Sequence, residues 1–179
     1  MEFSKLLEER RSIRAYKDGE NVSVSDIEAM VYAAQQAPSW KNSQSGRYYA
    51  VISEEMTEAV RLNCLPDFNR DRTAGAAGYV VTTFKRGNAG FRPDGTQTDD
   101  LGDGWGAYDL GLQNANFILK ARELGYDTLI MGLRDEQKLR EMLSVSDDEI
   151  MVAVIAIGKR ASDPQKPQRK NIEEILKVF

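Results

Sequence analysis

The sequence predicts a fold in which helices and strands alternate, with a parallel sheet as the first expectation. Segments with helical spacing of apolar residues alternate along the chain with short runs rich in valine, isoleucine and aromatic residues. One such run, residues 151–157, is continuously apolar, as is typical of a central strand buried on both faces. No repeat and no linker divides the chain, so residues 1–179 are expected to form a single domain.

The individual elements follow from apolar spacing and from capping residues. Ser23 is a good N-cap, and the helix after it should end near Ala37, because Pro38 disfavours helical geometry in the preceding residue. Residues 107–124 are apolar almost all round, which predicts a helix buried in the core or at an interface. The remaining helices are expected at residues 2–9, 54–64, from 135 onward and after a capping box at 171–174, and the strands at 48–52, 79–84, 128–131 and 151–157.

Composition excludes several classes of function. The net charge of −4 and the isoelectric point near 5.1 argue against a nucleic-acid-binding surface. The chain has no histidine, which excludes a Ser-His-Asp triad, a Cys-His dyad and histidine-ligated zinc. Cys64 is the single cysteine, so we expect no internal disulfide and interpret it as a small buried or half-buried residue on a helix.

The sequence shows no sign of a membrane-spanning segment or a signal peptide. No apolar run is long enough to cross a bilayer and the first ten residues do not resemble a signal peptide, so a cytoplasmic location is expected.

The glycine- and aspartate-rich segment 85–106 is predicted to be a long loop, functional or mobile. Its carboxylates at Asp99, Asp100 and Asp103 do not have calcium-loop spacing, and no metal site is predicted.

Basic side chains gather at two places in this acidic chain. Arg10, Arg11, Ser12 and Arg14 lie within five residues, directly after the first helix. Guanidinium forks pair with phosphate oxygens at two points, and a serine hydroxyl adds a neutral donor. Solvated surface charge is the commoner meaning of such a run, and that alternative stays open. A second basic cluster consists of Lys159, Arg160, Lys166, Arg169 and Lys170.

Two other segments carry groups suited to a ligand. Residues 37–44 read Ala-Pro-Ser-Trp-Lys-Asn-Ser-Gln, a loop of amides, hydroxyls and a tryptophan that could bind the edge and cover the face of a planar heterocycle. Gly132 follows a predicted strand, where a glycine lets a ligand approach free backbone N–H groups. Each segment alone could equally be an ordinary polar loop or a strand-ending turn.

In this order, the segments resemble the nitroreductase family. The family's Arg-Arg-Ser-Ile-Arg phrase matches residues 10–14, and its Ala-Pro-Ser-x-x-Asn-x-Gln loop matches residues 37–44. Its long central helix, ending in an Ala-x-x-Leu-Gly phrase, matches at residues 121–125. The strand that delivers backbone N–H groups to a flavin matches residues 130–132. A late arginine near the phosphate matches Arg169, so the resemblance spans nearly the whole chain.

The resemblance implies an FMN site. The N-terminal basic segment would hold the phosphate and ribityl chain, and the 37–44 loop would come from the partner subunit. Arg72 would lie near flavin N1 and O2, while the Met131 and Gly132 N–H groups would face N5 and O4. No side chain is expected to act as a catalytic acid or base. The residues so assigned are Arg10, Arg11, Ser12, Arg14, Ser39, Trp40, Asn42, Asn69, Arg72, Met131, Gly132 and Arg169.

The resemblance also implies a fold and an activity. The fold would be α+β, a mixed and largely antiparallel sheet flanked by helices in an intertwined homodimer, which overrides the parallel sheet. NADH or NADPH would reduce FMN, and a nitroaromatic, quinone or enone would then be reduced in a ping-pong mechanism. The alternatives are a protein that binds flavin without turnover, and, within the family, flavin destruction or reductive dehalogenation.

Overall fold

A computed structural model describes residues 2–179 and has an α+β fold. Its helices are α1 (Phe3–Glu9), α2 (Val24–Gln35), α3 (Glu54–Cys64), α4 (Asp67–Arg72), α5 (Gly104–Glu123), α6 (Glu136–Leu143) and α7 (Ile172–Ile175). Its strands are β1 (Gly46–Val51), β2 (Gly78–Lys85), β3 (Asp127–Met131) and β4 (Glu149–Gly158). Every element predicted from the sequence is present, and α4 is an additional helix that the apolar spacing did not indicate.

The four strands form one sheet in the order β1-β2-β4-β3, and every neighbouring pair is antiparallel. The parallel sheet expected from alternation alone is therefore wrong, whereas the α+β fold implied by the resemblance is confirmed. Local sequence patterns indicate which residues of a strand are buried, but they do not determine whether neighbouring strands are parallel or antiparallel. Parallel pairing is limited, within residues 2–179, to an isolated bridge between Ser12 and Thr128 at the outer edge of β3.

Strand β4 is apolar from Ile150 to Ile157 because both faces of the sheet are covered. On one face Val154 packs in a cluster with Tyr79 and Leu139. On the other face Ile155 packs in a second cluster with Phe117, which belongs to α5. Successive side chains of a strand point to opposite faces, so a strand between two apolar layers shows no alternation.

Helix α5 lies against the sheet and α2, and it supports the parts of the site. Gly106 lies where α5 contacts β2, and an added Cβ there would be 2.2 Å from Cδ2 of Phe84. Asn116 donates its side-chain amide to the carbonyl of Ala33 in α2, at 3.2 Å. In the single chain α5 is buried along one side only: its buried residues include the polar Asp109, Gln113 and Asn114, whereas Tyr108 and Ala115 are exposed. Burial at an interface therefore stays a prediction.

The C-terminal segment, residues 161–179, is exposed throughout. It contains α7, which begins with the capping box expected from Asn171 and Glu174. Its apolar side chains are solvent-facing in the single chain, with Val178 84% exposed. Among residues 2–179, no helix is long and apolar enough to cross a membrane.

Candidate functional site

The N-terminal basic segment, residues 10–14, is the first part of the candidate site. Within residues 2–179, none of Arg10, Arg11 and Arg14 forms an ion pair with a carboxylate, and neither does Arg169. Partial burial lowers the pKa of Arg10, and the like charges of Arg169 and Arg11 lower it further. Guanidinium groups that repel one another and have no carboxylate partner are suited to an anion such as phosphate.

The second basic cluster divides into two parts. Arg160 binds both carboxylate oxygens of the buried Asp127, at 2.7 and 2.5 Å. Lys159 forms an ion pair of 2.9 Å with Glu20. These two cations are therefore structural, whereas Arg169 lies close enough to Arg10 for their charges to repel.

Backbone pairing places the N-terminal basic segment beside β3. The N–H of Ile13 donates to the carbonyl of Thr128 at 3.0 Å, and Ser12 forms the parallel bridge with the same residue. Ile13 is buried, so its neighbours Ser12 and Arg14 face solvent. Two segments that the sequence separates by more than a hundred residues are thus adjacent.

The end of β3 leaves room for a ligand. Met131 is buried, and Gly132 is exposed with no atom within 4 Å of the position that a Cβ would take. A planar molecule can therefore approach this backbone closely, as the sequence predicted for the glycine.

Helix α4 lies next to this strand end. Asn69 is buried, and its side-chain amide donates to the carbonyl of Leu133 at 3.3 Å. Arg72 is exposed, and the Cζ atom of its guanidinium group lies 5.3 Å from the centre of the Phe68 ring. Asn69 thus orders the loop after β3, and Arg72 has no carboxylate partner among residues 2–179. The sequence indicated these residues through the resemblance but not through helical spacing.

Residues 39–44, the polar loop, have an uncommon backbone conformation. Lys41, Asn42 and Gln44 all have φ in the left-handed region, at 44°, 57° and 47°. Such conformations are unfavourable for residues with a Cβ and persist where the surroundings impose them. The Ser39 hydroxyl accepts the N–H of Gln44 at 3.1 Å, which closes the loop on itself.

Asp109 anchors the polar loop and was missed by sequence reasoning. This residue of α5 is 2% exposed, and its Oδ2 accepts the Trp40 N–H at 2.9 Å and the Ser43 hydroxyl at 3.3 Å. The available signal was an acidic residue on an otherwise apolar stretch of helix. A buried carboxylate needs donors, and here the polar loop supplies them.

The polar loop leads into β1 and the N-terminal basic segment pairs with β3, so the two lie at opposite edges of the sheet. Across residues 2–179, no hydrogen bond or ion pair joins Ser39, Trp40 or Asn42 to Arg10, Ser12 or Arg14. The predicted site residues therefore fall into two groups. One group lies along β3: residues 10–14 and 169 are near its start, and residues 69–72 and 131–132 are near its end. The other group contains residues 39–44.

Cys64 is buried in the protein, and carboxylates of the 85–106 loop accept hydrogen bonds from neighbouring groups. Cys64 is buried, and burial raises the pKa of its thiol, which makes a reactive thiolate unfavourable. Asp99 accepts the indole N–H of Trp105, and Asp103 accepts the N–H of Gly87. The described part of the chain contains no group of three or more side chains placed to bind a metal ion.

A model of the nitroreductase family matches residues 7–159, most of the chain. The chain belongs to the nitroreductase family. It is a nitroreductase-type oxidoreductase, as its sequence motifs predicted.

Several nitroreductase relatives match over nearly their whole length. YdgI of Bacillus subtilis, named as an NAD(P)H nitroreductase, is 23% identical, with 97% of this chain and 96% of that protein covered. An Archaeoglobus fulgidus protein, named as an NADH dehydrogenase or NAD(P)H nitroreductase, is 29% identical, with 88% and 84% covered. A nitroreductase of Exiguobacterium sibiricum, solved in complex with FMN, is 22% identical with a TM-score of 0.81, covering 100% and 98%. The names and the complex agree with the predicted FMN and nicotinamide cofactors.

Proposed function

We propose that this protein is an FMN-dependent oxidoreductase that uses NADH or NADPH to reduce small electron-poor molecules. The acceptors would be nitroaromatics, quinones or enones, reduced in two successive half-reactions at one site. The observation that supports this most directly is that β3 has unpaired arginines beside its start, at Thr128, and open space after its end, at Gly132. When bound, FMN supplies the hydride chemistry, and the protein binds and orients it.

The phosphate of FMN would lie among Arg10, Arg11, Arg14 and Arg169. A phosphate dianion would relieve the repulsion between Arg10 and Arg169 and would accept hydrogen bonds from several guanidinium forks. The Ser12 hydroxyl, which is exposed beside this cluster, would add a neutral donor. The chain offers no glycine-rich turn for an adenine dinucleotide, so FMN is favoured over FAD.

The flavin ring would lie over the end of β3. The N–H groups of Met131 and Gly132 would donate to its N5 and O4 edge, where the space over Gly132 is open. Asn69 and Arg72 of α4 would face the pyrimidine edge, and the positive charge of Arg72 would stabilise an anionic reduced flavin.

The functional unit would be a homodimer. Ser39, Trp40 and Asn42 lie apart from the arginines of their own chain, so they would contact the flavin held by a second copy. The exposed apolar residues of the C-terminal segment support this, since a second copy would remove them from water. The cytoplasmic location remains a prediction.

Cofactor release and titration test the assignment of the phosphate site. We expect the purified protein to be yellow and to release FMN on heating. Arg14→Ala should weaken FMN binding by about ten- to a hundredfold, the effect of a hydrogen bond between charged groups. The control is Arg86→Ala, since Arg86 is an exposed arginine outside the site. Equal affinities in the two variants, or release of FAD, would contradict the proposal.

Mixing two defective apo-proteins tests the shared site. If Arg14 and Asn42 serve opposite subunits, a heterodimer of Arg14→Ala and Asn42→Ala chains has one site with both defects and one intact site. Mixing should then restore high-affinity FMN binding to about half of the sites in the heterodimers. A monomer in sedimentation with full flavin occupancy would exclude the shared site.

Turnover separates an enzyme from a protein that only binds flavin. We expect NADH or NADPH to bleach the flavin in anaerobic stopped-flow measurements and a nitroaromatic or quinone to restore its colour. A flavin that neither nicotinamide reduces would support sequestration of FMN.

A further inference from the structure

The segment between β2 and α5 is an ordered loop with its own hydrogen bonds. Phe91 and Gln97 form an antiparallel bridge, and the N–H of Arg92 donates to the carbonyl of Thr96 at 2.8 Å. Gly90 has φ of +85°, and an added Cβ would be 2.4 Å from the carbonyl oxygen of Gly102. The loop expected to be either functional or mobile thus has a defined shape.

This loop and the polar loop line an open cleft of about 520 Å³. Trp40 and Lys41 line it from the polar loop, and Phe91 and Arg92 line it from the segment before α5. Trp40 and Phe91 are half-buried, so each shows part of its ring to the cleft. A cavity of this size can accept a molecule with one or two rings.

Two basic side chains, Lys41 and Arg92, line the cleft. Lys41 and Arg92 are exposed, and neither forms an ion pair within residues 2–179. The Lys41 Nζ lies 4.6 Å from the centre of the Trp40 ring. Asp94, whose sequence neighbours Pro93 and Gly95 line the cleft, accepts hydrogen bonds from the N–H and the hydroxyl of Thr96 and forms no ion pair with Lys41 or Arg92.

We propose that this cleft binds an aromatic or conjugated carboxylate. The carboxylate would pair with Lys41 and Arg92, and the flat apolar part would lie against Trp40 and Phe91. The inference rests on the proposed function, because that function places the polar loop at a flavin. It narrows the electron-poor acceptors of that function to acidic ones, such as nitroaromatic or α,β-unsaturated acids.

Matched pairs of a carboxylate and its neutral amide test the inference. Calorimetry on the protein as purified compares benzoate with benzamide, and steady-state assays compare 4-nitrobenzoate with 4-nitrobenzamide. In these assays NAD(P)H and a proton reduce the nitro group to a nitroso group with release of water. Exposed ion pairs contribute up to about fivefold each, so the carboxylate should be favoured by roughly five- to twentyfold.

Arg92→Gln should reduce the carboxylate-to-amide ratio by about fivefold, and Arg92→Glu should lower it further. Arg86→Gln is the matched control, since Arg86 is an exposed arginine of the same loop outside the cleft, and it should leave the ratio unchanged.

Equal binding of benzoate and benzamide, or a ratio that Arg92→Gln does not change, would overturn the inference. The proposed function fails separately, if neither nitro compound is reduced. A preference for benzoate that depends on Arg92 would still support the cleft in that case.

Discussion

Removal of the Asp109 carboxylate tests whether the shape of the polar loop matters for cofactor binding. In Asp109→Ala, the Trp40 N–H and the Ser43 hydroxyl lose an acceptor at 2.9 and 3.3 Å. Hydrogen bonds to a charged group contribute about 1.5–3 kcal/mol each to stability. The longer bond, from the Ser43 hydroxyl, should contribute at the low end of this range. The buried charge itself is unfavourable, which offsets part of this gain.

The net loss is therefore about 2–3 kcal/mol, comparable to the strain of three left-handed residues at about 1 kcal/mol each. Without Asp109 the polar loop should relax, and its flavin contacts should be lost. We expect FMN affinity to fall by about tenfold or more. Asp109→Asn keeps one acceptor oxygen and should restore part of the affinity.

FMN fluorescence, which increases on release from the protein, measures this affinity in titrations of the apo-protein. Asp26→Ala is the matched control: Asp26 accepts hydrogen bonds from Ser23 and Tyr126 at the start of α2, away from the polar loop. Both variants should lose stability in urea, but only the Asp109 variant should lose FMN. Unchanged FMN affinity in Asp109→Ala, or an equal loss in Asp26→Ala, would refute the reasoning.

Two further predictions concern stability. Arg160→Leu leaves the buried Asp127 carboxylate without its two-point partner. This variant should lower the free energy of unfolding in urea by about 3 kcal/mol. Arg160→Lys keeps the positive charge and should lower the free energy of unfolding by less. Burial raises the pKa of Tyr79 from 10.0 to about 12, so its neutral form stabilises the fold fully below pH 10, and this contribution is lost as the pH rises towards 12. Tyr79→Phe should therefore show a shallower loss of stability over that interval, and an unchanged slope would contradict this assignment.

Local patterns predicted the elements but not their arrangement. The apolar run of β4 correctly indicated a buried strand, yet burial on both faces is common to parallel strands and to antiparallel strands between two layers. The apolar spacing gave no sign of α4, whose six residues include five polar ones.

Within the candidate site, the motifs indicated the residues but not their partners. Arg160 and Arg169 belong to one basic cluster in the sequence, and only the fold shows that Arg160 is paired with Asp127 while Arg169 lies close to Arg10. Asp109 could not be identified in advance, because its donors lie 66 and 69 residues away in a loop without regular spacing.

The position of Arg169 links cofactor occupancy to protease resistance. Arg169 belongs to the exposed C-terminal segment, whereas Arg10 follows α1 at the other end of the chain, and their charges repel. An anion bound between them would tether that segment to the body, and its departure would free the backbone for cleavage. FMN-loaded protein should therefore be cut more slowly after Arg169 and Lys170 than apo-protein is, with inorganic phosphate giving weaker protection.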